Sequence, residues 1–104
     1  MDWIKLLIIL LSFVIFFDNS AGTNVVPHNV NVLSVEFQQT SGHLILNVCS
    51  NVLNYGGTLF EYYFVQQLTS IAASFCDAQY FTLLISGELR ELPEGIMLYR
   101  FFLH

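Results

Sequence analysis

Residues 58–76, TLFEYYFVQQLTSIAASFC, are the stretch on which the fold turns. Over TLFEYYFV (58–65), Phe60, Tyr62 and Phe64 fall on one face of an extended chain while Glu61 and Tyr63 take the other. That is the two-residue period of a β-strand. Over the remainder, Leu68, Ile71, Ala72 and Phe75 recur at helical spacing, so a short helix at 67–76 competes there. Strand pairing readily overrides so weak a preference. The first half therefore predicts a strand, and the flanking segments are read around it.

Toward the amino end, VNVLSVEF (30–37) and HLILNVC (43–49) are rich in β-branched and aliphatic residues. The polar link QQTSG between them has hairpin length, which predicts two antiparallel strands. Toward the carboxyl end, QYFTLLI (79–85) reads as another strand closed by SGE. In LRELPEGIMLYRFFL (89–103), Pro93 and Gly95 suit a type II or related turn between Leu89–Leu92 and Ile96–Leu103, a second hairpin. The expected fold class is mostly β: a small antiparallel β-sandwich or open barrel of five to six strands. The last strand, IMLYRFFLH, has one arginine and little other polarity. Exposed edges usually carry charge, so this strand is expected either to lie centrally or to pair with another chain as a homodimer.

The amino terminus, MDWIKLLIILLSFVIFFDNSAG, has Lys5, an apolar run from Leu6 to Phe17 broken by Ser12, and then small residues. This is the layout of a secretory signal peptide, with Ser20 and Gly22 at the −3 and −1 positions of a cleavage site. The run is too short for the ~20 residues a spanning helix needs. The expected organisation is a signal peptide at 1–22 and a single secreted, extracellular domain at 23–104.

Within 23–104 the acids Glu36, Glu61, Asp77, Glu88, Glu91 and Glu94 face only Arg90 and Arg100. Phosphate backbones and anionic lipid surfaces require clustered cations, so nucleic acid is excluded as a partner. Membrane contact is expected only if the amino-terminal segment is retained.

A domain this small is marginal on burial alone. In an oxidising compartment its two cysteines, Cys49 and Cys76, read as a disulfide. The bond would be worth roughly 3.5 kcal/mol by loop closure. Two free thiols are the alternative for a chain that stays in the cytosol.

Chemistry-bearing patterns are sparse. His28, His43 and His104 lie at no short metal-ligand spacing, and a zinc site from His28, His43 and Glu36 yields to solvated histidines. Glu88, Glu91 and Glu94 recur every third residue, but Pro93 and Gly95 break any helix that would gather them for calcium. Nucleophilic catalysis lacks a G-x-S-x-G or an activated thiol. The chain is expected not to be an enzyme and to need no metal or cofactor. Five tyrosines cannot all be buried on one sheet face, and exposed tyrosines favour protein contacts. Glu61, Tyr62 and Tyr63 are the candidate partner-binding residues.

A leader followed by VNVLSV (30–35), LILNVCSNVLNYGG (44–57), TLFEYYF (58–64) and SFCDAQYF (74–81) resembles the plant self-incompatibility S1-type secreted proteins. The resemblance implies a secreted β-sandwich bridged by Cys49 and Cys76 that acts as a ligand for a cell-surface receptor. The function expected from the sequence is accordingly that of a small secreted protein binding a macromolecular partner at or outside the cell surface. Its rivals are a short accessory protein tethered by residues 3–17 and a reading frame without a defined activity.

Overall fold

In a computed structural model, which describes residues 3–18, 26–27 and 29–103, residues 58–73 form one continuous helix, where the sequence predicts a strand over 58–65 and at most a short helix at 67–76. The elements in order are α1 (Trp3–Asp18), β1 (Val32–Gln38), β2 (His43–Val48), a 3-10 turn (Ser50–Leu53), α2 (Thr58–Ala73), β3 (Tyr80–Ile85) and β4 (Phe101–Phe102). Along α2 the buried residues are Glu61, Phe64, Leu68 and Ala72. Their spacing is a helical stripe that runs unbroken across residues 65 and 66. The alternation of Phe60, Tyr62 and Phe64 ends at residue 65, so the longer period wins once an acidic residue is admitted to the interior.

One helix in this position changes the whole topology. The sheet has the order β1-β2-β3-β4, with β1 antiparallel to β2, β2 parallel to β3, and β3 antiparallel to β4. A parallel neighbour requires a crossover, and α2 provides it. The protein is thus an α+β fold with a mixed four-stranded sheet, which overturns the expected antiparallel sandwich.

The β1–β2 hairpin and the β3 strand lie where the sequence predicts them. The second hairpin does not form: β4 is only two residues long and pairs with β3, at the sheet edge. Pro93 and Glu94 still make a turn, closed by the Gly95 amide donating to the Leu92 carbonyl at 2.8 Å. Positive φ falls on Gly95, at 101°, rather than on Glu94, so this is a type I turn followed by glycine and not type II.

Both helices cover one face of the sheet. Ile9, Phe13, Phe16 and Phe17 of α1 join Phe64, Leu68 and Ala72 of α2 over Leu44, Leu46, Val48, Phe81, Leu83 and Ile85. Aromatic rings carry the junction: Phe13 stacks on Phe81 at 6.0 Å, and Phe16 stacks on Phe64 at 6.3 Å. At the opposite end of the parallel pair, Gly42 adopts φ 67° and its carbonyl accepts from the amides of Gln79 and Tyr80. A Cβ on Gly42 would come within 3.2 Å of the Asp77 carbonyl, so the turn brings the two strands together only with glycine there.

The expected disulfide is absent: Cys49 and Cys76 are both free thiols. The crossover explains this. Cys49 follows the Val48–Ile85 end of the parallel ladder, whereas Cys76 precedes its His43–Tyr80 end. The ladder of six residues separates them by about 17 Å at ~3.3 Å per residue, far outside the ~7 Å reach between bridged Cα atoms. Alkylation in denaturant without reductant is therefore expected to label both cysteines, and reductant to leave the unfolding midpoint unchanged. A midpoint that falls on reduction would contradict the free-thiol state. Ser20 and Gly22 of the expected cleavage site, and His28 and His104, lie outside the described residues.

Candidate functional site

The three residues singled out from the sequence separate in the fold. Tyr62 and Tyr63 lie on the outer side of α2, exposed at 56% and 43%, with ring centroids 5.4 Å apart. Glu61 is 1% exposed and belongs to the interior. One oxygen, Oε1, accepts from the Tyr55 hydroxyl at 2.7 Å and from the Glu94 amide at 2.8 Å; Oε2 accepts from the Ile96 amide at 3.1 Å. The Glu94 carboxylate in turn accepts from the Gly57 amide at 2.5 Å, at the start of α2. Glu61 is therefore a pin joining α2 to the 93–96 turn, and its carboxylate is not available to a partner. Burial first, and the Glu61 carboxylate next, push the Tyr55 phenol far above its ordinary value, which keeps that hydroxyl a donor.

The sheet face opposite the helices is different in character. Strand alternation and register set three rows across it: Ser34–Asn47–Leu84, Glu36–Ile45–Thr82 and Gln38–His43–Tyr80–Phe102. Among the described residues no helix covers these rows. The segment leading into β4 folds over one side, where the Arg100 amide donates to Thr82 Oγ1 at 2.9 Å and the guanidinium sits 5.4 Å from the Tyr80 ring centre. Arg100 has φ 49°, a bulge-like kink that lets its backbone reach Thr82. Beside it Phe102 is 59% exposed and packs at 5.7 Å on Tyr80, and Tyr99 is exposed as well.

His43 Nε2 and Thr82 Oγ1 are 2.6 Å apart. Because Thr82 already accepts from the Arg100 amide, its hydroxyl hydrogen is free to donate to the unprotonated Nε2 of a neutral ring. Histidine beside a hydroxyl is also the geometry of a base and nucleophile. Here Thr82 is 3% exposed, so its oxygen has no path to an incoming substrate. The pair organises the face.

Burial, with the Arg100 guanidinium, holds His43 below its ordinary value, and Glu36 opposes them. The unfolded chain protonates this ring near pH ~6.5 and the native chain only lower, so the contribution is fully present above that pH and is lost as pH falls through the native value. Wild-type stability is expected to decline between pH 7 and pH 5 more steeply than that of His43→Gln, read as denaturant midpoints. Equal slopes would show that His43 does not titrate on unfolding.

Tyr80, Thr82 and the 99–102 segment, which build the face, were not among the candidate residues from the sequence. The available signal was the aromatic and arginine content of LYRFF, recognised as an unprotected edge but not as a surface facing the histidine of β2. A groove between α1 and α2, lined by Phe16, Tyr63, Gln66, Gln67, Ser70 and Ile71, is the other concavity near the predicted tyrosines.

No protein family and no curated protein sequence matches the chain. Among solved structures it is similar to the first GerMN domain of the sporulation protein GerM from Bacillus subtilis, with a TM-score of 0.62 and 26% identity. The match covers 75% of this chain, which spans 58% of the length of that one. This likeness, and the α+β topology beneath it, overturn the resemblance to the self-incompatibility S1-type proteins and the receptor-ligand role it implied. It gives no support to the tethered-accessory reading or to that of a chain without a defined activity. Among the described residues no helix is long and apolar enough to cross a membrane.

Proposed function

We propose that the chain is a non-catalytic, GerMN-like protein-recognition domain that serves a sporulation apparatus, as the name of its structural neighbour suggests. The observation that supports this most is the one-sided architecture. Two helices build the core against one sheet face, and the other face presents Ile45, Tyr80, Leu84 and Phe102 around a cation stacked on an aromatic ring. Exposed aromatic residues beside an arginine are the side chains in which protein interfaces are enriched. Phosphate-bearing partners are disfavoured by a net charge of −5.

A photocrosslinking residue placed at Leu84 or Phe102, in cells producing the chain as they sporulate, tests this. Discrete protein adducts at both positions, and none from the same residue at Gln66 on α2, are expected. Absence of adducts from the sheet face would remove the proposal.

A further inference from the structure

A second surface, distinct from the open sheet face, lies along the β1 side of the molecule. β1 ends the strand order, so alternate amide and carbonyl groups along its seven residues face away from β2. Among the described residues no strand lies beyond it. Its sequence, VLSVEFQ, has neither lysine nor proline, and its only charge is Glu36. The register shift between Val32 and Ser34 leaves the stretch from Ser34 to Gln38 regular and open. Unprotected edges of this kind pair with another strand.

Helix α1 packs beside the same edge. Its core-facing residues are Ile9, Phe13, Phe16 and Phe17, yet apart from Lys5, Ser12 and Asp18 its remaining residues are also apolar. On the edge side, Trp3, Leu6, Leu7 and Leu10 form with Val35 an open apolar groove of about 180 Å³. Trp3 is 72% exposed. Trp3, Leu7 and Leu10 follow the four-then-three spacing by which one helix seats against another. Strand edge and helix flank thus ask for the same thing at once: a partner with a strand in the lower layer and an apolar helix in the upper one.

We propose that this partner is a second copy of the chain, joined through antiparallel β1–β1 pairing into a continuous eight-stranded sheet with the two α1 helices side by side above it. Only a molecule of this architecture fills both layers together. A two-fold axis at Val35 sets Val35 against its counterpart and Glu36 opposite Ser34 of the second copy, so the one charge on the edge does not meet its like. The short extents of the molecule are 25 and 24 Å. A side wall of that size offers roughly 600 Å² per partner, the lower end of what specific dimers bury.

The test uses the full chain. Sedimentation equilibrium over a concentration series is expected to show reversible association from 11.9 kDa to twice that mass. Leu7→Lys is expected to weaken it at least ten-fold while leaving the circular-dichroism melt of the monomer in place. In a Cys49→Ser, Cys76→Ser background, Val35→Cys is expected to oxidise to a covalent dimer, and Tyr62→Cys to stay monomeric.

A chain that remains monomeric at every concentration overturns the inference. So does a dimer that ignores Leu7→Lys and does not crosslink through residue 35. If the monomer instead crosslinks through its β1 edge to a different protein, the second copy is ruled out. The recognition role of the open sheet face, tested separately at Leu84 and Phe102, is untouched by either result.

Discussion

Glu61→Ala is expected to destabilise the protein by about 3–5 kcal/mol, the range for breaking a buried charged network from one side. The change removes the acceptor for three donors at once: the Tyr55 hydroxyl and the amides of Glu94 and Ile96. Each donor left buried and unpaired costs roughly 1–3 kcal/mol, and relaxation of the 93–96 turn toward water limits the total. Tyr55→Phe deletes one donor and keeps the carboxylate bonded to both amides, so about 1 kcal/mol is expected. Glu61→Gln retains one acceptor oxygen and falls between the two. Denaturant unfolding measures the costs, and hydrogen exchange locates them: amide protection at Glu94 and Ile96 should collapse in Glu61→Ala. A loss below ~1 kcal/mol with those amides still protected would mean that Glu61 does not pin the turn.

The second large effect concerns the amino-terminal helix. A chain beginning at Thr23 is expected to lose cooperative unfolding and to bind hydrophobic dyes, as compact states without fixed packing do. Ile9, Phe13, Phe16 and Phe17 are all buried against the remainder of the core. At ~1.5–3 kcal/mol for each fully buried large side chain, their removal forfeits on the order of 6–12 kcal/mol as an upper figure, comparable with the whole stability of a domain. It also bares the rings of Phe64 and Phe81, each of which stacks on a phenylalanine of α1. Calorimetry of the two chains, side by side, reads the difference. A sharp transition at an unchanged midpoint in the shorter chain would show that α1 is dispensable to the core and would favour processing after Gly22. The two roles make opposite demands on one segment, since a leader is discarded and a core helix cannot be.

Much of the sheet was legible from local pattern. The β1–β2 hairpin and β3 are runs of β-branched and aliphatic residues bounded by polar or glycine-bearing links, and such signals need no distant information. The 93–95 turn was legible because proline and glycine restrict the backbone whatever surrounds them. Helix α2 was legible only in its second half, as the short helix competing at 67–76; its first half was not, because its stripe passes through Glu61, and a carboxylate is counted as an outward residue until its partners are known. Tyr55 precedes it by six positions, but the two amides come from 33 and 35 positions further on. The disulfide failed for another reason: cysteine count and compartment say whether a bond can form, while the positions of the two sulfurs depend on the direction of the crossover.

By itself, the sequence determined the local elements set by short-range sterics and alternation, together with the apolar character of the segment that becomes α1. The tertiary structure decided where the interior lies. Glu61 is inside because a hydroxyl and two backbone amides converge on it, and His43 faces Thr82 because two strands from distant segments lie parallel. The cysteines are apart because a helix returns the chain to the far end of the sheet. Each of these is a contact between distant segments, whose free energy appears only on folding and leaves no period in the sequence to read.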